Sequence, residues 1–245
     1  PRKYHDRYRE DSRGRSSFSG TMRGYELLRK YGVTTEILCV VNSFNAGHPL
    51  TLYDFFRGID AKYITFLPLV ERDVHSESGV TSATVPAEQF GIFLSEIFDR
   101  WLADDIGRIE IQIFEEATRR AFGREHSLCI FRVNCGGVPV VEHNGDFYSC
   151  DHYVDGDHLL GNITENSLAG FLDSERQHAF GRAKSLTLPG YCRECDFLDM
   201  CNGECPRNRF ISTPAGEPGL NYLCEGYKIF FEHCQPFIEA LRELF

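Results

Sequence analysis

Apolar positions in the first half of the chain alternate between helical spacing and strand-length runs. Over residues 18–31, Met22, Tyr25 and Leu28 fall on one face and predict an amphipathic helix that stops at Gly32. Residues 34–41 (TTEILCVV) form a β-branched, apolar run suited to a strand buried on both faces. Residues 52–59 predict a short helix around Tyr53, Phe55 and Phe56, and residues 62–70 (KYITFLPLV) a second buried strand. A long helix is expected over 86–102, with Phe90, Phe93, Leu94, Ile97, Phe98 and Trp101 as its apolar stripe. Such aromatics are core-forming residues first. The order helix, strand, helix, strand, helix argues for parallel βα units, as in part of an α/β barrel. Two strands cannot close a barrel, which takes about eight, so an upstream segment is expected to complete the sheet.

The pattern changes after a helix expected over 111–122. From Cys129 the chain is rich in Cys, Gly and Asn, with short strand signals. Residues 138–141 and 147–149 predict a β-hairpin around His143-Asn144-Gly145-Asp146, where Asn-Gly supplies the positive φ values of a tight turn. That hairpin delivers Cys150 at the end of its returning strand. Residues 168–171 and 174–183 are expected to be helical, and residues 229–244 to form a closing helix. The expected organisation is therefore two domains, 1–118 and 119–245.

Composition narrows the chemistry. With 42% hydrophobic and 25% charged residues the chain has the make-up of a globular domain, and its net charge of −10 argues against nucleic-acid binding. No run of eighteen apolar residues is present, so no membrane span is expected. The chain opens at Pro1 without Met and runs directly into charged residues, and it is expected to be a piece of a longer protein.

The cysteines carry the strongest signal. Of ten, Cys39 alone lies in the first half. Cys129-x5-Cys135-x14-Cys150 forms one group, Cys192-x2-Cys195-x5-Cys201-x3-Cys205 a second, and Cys224 follows, giving eight thiols, enough for two four-cysteine sites. Cys39 and Cys234 sit in apolar segments and are expected to be buried thiols acting as small hydrophobes. Thiolate quartets hold both zinc and iron–sulfur clusters, and disulfides use the same residue, so spacing points to metal without choosing among these. Gly136, Gly137 and Gly203 beside the thiols permit close backbone approach and amide hydrogen bonds to sulfur. With eight thiols available, His75, His143 and His152 are expected to be surface or packing residues.

These residues carry a resemblance. The run LCIFRVNCGGVPVVEHNGDFYSCDHYV with LGNI, and CRECDFLDMCNGECPRNR with NYLCEGYKIFFEH, resemble the anaerobic sulfatase-maturating enzymes, as does PRKYHDRYR at the start of the chain. These are radical S-adenosylmethionine (SAM) enzymes with a SPASM domain holding two auxiliary [4Fe–4S] clusters. The fold implied is α/β: the C-terminal portion of a partial (β/α) radical SAM barrel, then a cysteine-rich SPASM domain with a β-hairpin and short helices. The ligand sets implied are Cys129, Cys135, Cys150 and Cys205 for one cluster, and Cys192, Cys195, Cys201 and Cys224 for the other. Interleaving of this kind ties metal binding to folding of the whole domain.

The resemblance implies oxidation of a Cys or Ser of an unfolded sulfatase peptide to Cα-formylglycine, a protein electron donor and a cytoplasmic setting. Asp151 matches the family's proposed base, whose alternative role is to bond backbone amides. Arg9 matches an arginine contacting the SAM carboxylate, and Val70 a position lining its adenine site, although an exposed Arg and a buried Val are ordinary in such places. The family's Cys-x3-Cys-x2-Cys loop for a third cluster is absent, so the chain alone is expected to be inactive. Two other readings stay open: a SPASM maturase of another ribosomal peptide, and a non-catalytic metal-binding or electron-transfer module.

Overall fold

In the computed structural model, which describes residues 1–244, the chain divides into two compact units, residues 1–118 with those from 225 onward, and residues 119–224. The first begins with helices α1 (Arg2–His5) and α2 (Phe18–Lys30). Strand β1 (Glu36–Val41), helix α3 (Pro49–Gly58), strand β2 (Tyr63–Pro68), helix α4 (Ala87–Asp104), strand β3 (Glu110–Ile111) and helix α5 (Gln112–Arg119) then alternate as βα units. The sheet order is β1-β2-β3, parallel throughout, with Glu36 opposite Tyr63 and Tyr63 opposite Glu110. The two residues of β3 are too short a run to register as a strand in the sequence.

Side chains paired across parallel strands share a sheet face. Cys39, Val41, Ile64 and Phe66 are buried on one face, where Phe66 meets Phe56 of α3 and Phe93 of α4 at ring distances of 6.4 and 5.2 Å. The opposite face is open: Leu38 is 63% and Leu67 41% exposed. Expected burial of β1 on both faces is thus corrected to one, because α3 and α4 cover a single side. Likewise α2 forms as its spacing predicts but buries no residue.

The α4 stripe is buried as its periodicity requires. It packs against the closing helix (Cys224–Leu244), which buries Tyr227, Phe230, Phe231, Cys234 and Ile238. A Cβ at Gly226 would lie 2.1 Å from the Ala87 carbonyl, and one at Gly91 2.4 Å from the Gly226 carbonyl, so glycine at both positions lets the helices cross almost in backbone contact. Phe98, Phe114 and Phe230 complete the aromatic core, with Phe114 stacked on Phe230 at 5.5 Å. From Glu225 the closing helix therefore belongs to the first unit, whereas the sequence pattern grouped it with residues 119–245.

In the second unit β4 (Val140–Val141), β5 (Asp146–Tyr148) and β6 (Leu159–Asn162) form an antiparallel sheet. Gly145 takes φ +88° but Asn144 keeps an ordinary φ; its Oδ1 instead accepts from the Asp146 amide at 3.1 Å. The turn is a longer loop closed by Gly145 N–H to the Glu142 carbonyl, which replaces the tight Asn-Gly turn. Helices α6 (Leu168–Leu172), α7 (Glu175–Leu186), α8 (Gly190–Arg193) and α9 (Leu198–Cys201) follow, then the ribbon β7 (Ile211–Ser212) and β8 (Pro218–Leu220). Ser167 and Ser174 cap α6 and α7 by accepting from the Gly170 and Gln177 amides. Among the described residues no helix is long and apolar enough to cross a membrane.

Candidate metal centres

All ten cysteines are free thiols. Cys39 and Cys234 are buried in the first unit, where burial pushes each thiol up to about 12, as expected of small hydrophobes. The other eight lie in the second unit.

Cys129 opens a short 3₁₀ turn, Cys135 precedes the Gly136-Gly137 loop, Cys150 ends the strand leaving β5, and Cys205 follows α9. These thiols sense one another. The charge of Cys129 raises the proton affinity of Cys135, Cys135 raises that of Cys150, and Cys135 and Cys150 raise that of Cys205. Burial is the larger cause throughout and pushes Cys150 and Cys205 up to about 12. Gln177, 3% exposed, fastens this region: its side-chain amide donates to the Gly136 carbonyl at 3.0 Å and the Ser149 carbonyl at 3.1 Å, tying the Cys135 loop to the Cys150 strand.

Cys192 and Cys195 are joined by the single turn of α8, with the Cys195 amide donating to the Cys192 carbonyl at 3.2 Å. Cys201 closes α9. It is pushed up to about 12, first by burial, then by Glu204, Cys224 and Cys192, which places those two thiols in its neighbourhood. Cys195 borders a cleft also lined by His126, Arg132 and Asp199.

Backbone amides point at sulfur in both groups. His152 N–H donates to Cys150 Sγ at 3.5 Å, and the Gly203 and Arg207 amides stabilise the Cys201 and Cys205 thiolates. Such N–H···S bonds favour the deprotonated sulfur that a metal centre needs. Eight unbridged thiols, three of them with backbone amides aimed at sulfur, fit two four-thiolate centres.

Asp151 lies beside the first group. It is exposed, its carboxylate accepts from the Cys150 thiol at 3.3 Å, and its charge raises the proton affinity of Cys129. No backbone amide donates to this carboxylate among the described residues. His152, set aside in the sequence, places Nδ1 3.5 Å from Cys205 Sγ. Its position next to Cys150 and Asp151 was the available signal. His75 and His143 are exposed. In the first unit Arg9 is exposed in the loop after α1, and Val70 is half-buried just past the C-terminal end of β2.

Eight free thiols in one unit define a metal-binding domain, and the family model SPASM, the iron-sulfur cluster-binding domain, matches residues 135–196 and selects iron–sulfur among the metals such thiols hold. A serine-type anaerobic sulfatase-maturating enzyme of Bacteroides thetaiotaomicron is 44% identical over 99% of this chain and 62% of its own length. A cysteine-type enzyme of Clostridium perfringens is 31% identical over 96% of this chain and 64% of its own. The solved structure of native anSMEcpe with bound AdoMet and Cp18Cys peptide superposes with a TM-score of 0.88 at 30% identity, covering 100% of this chain and 68% of that one. The chain belongs to the family of anaerobic sulfatase-maturating enzymes, and it spans 62% of the length of the Bacteroides relative.

Proposed function

We propose that this chain is the auxiliary-cluster part of a radical SAM enzyme that oxidises a Ser or Cys side chain of an unfolded sulfatase peptide to Cα-formylglycine. The observation that supports the reading is eight unbridged thiols gathered in one unit whose residues 135–196 match the iron–sulfur cluster-binding domain. The family's pattern divides them into Cys129, Cys135, Cys150 and Cys205, and Cys192, Cys201 and Cys224. Cys195, one turn from Cys192, completes the second set. Each quartet would hold a [4Fe–4S] cluster, with a third on the segment by which the relatives are longer.

When bound, SAM and the clusters supply a hydrogen-abstracting 5′-deoxyadenosyl radical and acceptors for electrons. The balance of the oxidation assigns work to the chain: one hydrogen atom leaves Cβ, one proton leaves the hydroxyl or thiol, and one electron passes to an acceptor, giving the aldehyde from serine and, from cysteine, a thioaldehyde that water converts to the aldehyde with loss of hydrogen sulfide. Asp151 is suited to take the proton, because its carboxylate is exposed and it follows the proposed cluster ligand Cys150 directly in the chain, which holds it near the site. Arg9 offers a guanidinium for the SAM carboxylate, and Val70 an apolar contact for its adenine. The 44% identity to a serine-type relative supports a seryl peptide as the substrate. A protein electron donor and a cytoplasmic setting complete the proposal.

Anaerobic reconstitution with iron and sulfide, followed by metal analysis, is the test. Two clusters require about eight irons per chain; stoichiometric zinc without visible absorbance would refute the reading.

A further inference from the structure

Cys201 and Cys205 stand four residues apart yet fall to different sites in the reading above, on which this inference rests. A continuing helix would turn both sulfurs to one face. Instead Asn202, Gly203 and Glu204 are all left-handed, with φ of 47°, 70° and 52°. Two of the three are not glycine, so something outside the segment must hold a conformation that L-residues avoid.

Arg209 does so. Its Nε donates to the Gly203 carbonyl at 2.8 Å, and Nη2 to those of Asn202 at 2.8 Å and Glu204 at 3.3 Å. Every carbonyl of the left-handed stretch is thus gathered on one guanidinium, whose Nη1 also donates to the Lys184 carbonyl at 2.7 Å. The fit leaves no slack: a Cβ at Gly203 would lie 2.5 Å from Arg209 Nη2 and 2.4 Å from Leu188 Cδ2. Among the described residues no carboxylate forms an ion pair with Arg209. Burial works against its charge, while the thiolates of Cys192, Cys201 and Cys135 and the Glu204 carboxylate favour it. A lysine could not replace it, because an ammonium lacks the planar fork that serves four acceptors at once.

We propose that Arg209 is a positioning residue shared by the two metal sites. Its guanidinium, bonded to the carbonyls of Asn202, Gly203 and Glu204, fixes the bridge between Cys201 and Cys205 and so sets a positive charge beside one thiol of each set. Occupancy and reduction potential of the two centres therefore depend on it together. A cluster held by four thiolates is anionic, so a nearby fixed cation favours the reduced state.

The test compares wild type, Arg209→Met and Arg209→Lys in the full-length, anaerobically cluster-loaded protein. Iron and sulfide per chain and potential-controlled EPR of each auxiliary centre are the readouts, with circular dichroism as the check on folding. Arg209→Met is expected to lose up to about eight irons per chain, drawn from both sites. Any clusters retained should both move to lower potential. Arg209→Lys, which keeps the charge without the fork, is expected to under-load both sites in equal proportion, and it decides the matter if the methionine variant does not fold. Full loading at wild-type potentials, or a defect confined to one centre, overturns the proposal. Failure of the wild type to bind iron would instead remove the cluster reading beneath it.

Discussion

The ammonium of Lys184 donates to the carbonyl of Cys129 at 3.1 Å while its side chain is 1% exposed. A second bond, 2.6 Å to the Ile130 carbonyl, completes its contacts with that turn. A buried lysine is disfavoured by desolvation, which lowers its pKa, and the thiolate of Cys135 is the largest influence opposing that. Lys184→Met keeps most of the packing volume but strands two carbonyls, each worth about 1–3 kcal/mol when left unpaired in the interior. The variant should unfold at lower urea than wild type, by circular dichroism; an unchanged midpoint would show that these bonds contribute nothing net.

Asp151→Asn removes the carboxylate proposed to take the proton and keeps the shape. In the full-length enzyme it should slow formylglycine formation by about 10²–10⁴-fold, the usual contribution of a general base, while SAM cleavage continues. Mass spectrometry of the peptide and chromatography of 5′-deoxyadenosine separate the two. Undiminished peptide oxidation removes Asp151 from the chemistry.

Gly226→Ala sets two effects against each other. Alanine is better in a helix by about 1 kcal/mol, but its Cβ would sit 2.1 Å from the Ala87 carbonyl, and separating packed helices costs about 1–3 kcal/mol or more. Backbone cannot yield as a side-chain tip can, so net destabilisation is expected. Thermal unfolding reads it out, and a raised midpoint would contradict the close crossing.

Cys39 and Cys234 make metal-free stability depend on pH. Burial pushes both thiols up to about 12 from 9.0, so the folded chain retains protons that the unfolded chain gives up. Stability from this source is complete below about pH 9 and declines as pH rises towards 12. Urea midpoints at about pH 8 and about pH 10.5 should differ, and Cys39→Ala with Cys234→Ala should reduce the difference. A flat profile in the parent chain would count against burial of the two thiols.

The long elements were legible because their periodicity and their burial coincide. The α4 stripe reads directly as the buried face of a helix, and β1 and β2 as parallel strands. The short elements were not legible: β3, β7 and β6 have two to four residues, and a pattern of period two cannot establish itself over such a length. Met22, Tyr25 and Leu28 have the spacing of a buried face, yet Met22 and Tyr25 are only half-buried and Leu28 is exposed, since amphipathicity says which face could be buried, not how fully a partner covers it. Cysteine spacing marked the metal candidates, whereas Arg209 in the run PRNR looked like one more charged residue. Its role depends on three positive φ values that no residue pattern announced, two of them outside glycine.

In the proposed ligand sets the last thiols, Cys205 and Cys224, emerge late in synthesis of this stretch. A ribosome must release nearly all of it before either quartet has its fourth member. Neither proposed cluster can therefore be completed until most of the segment has been made, so loading with iron follows its synthesis.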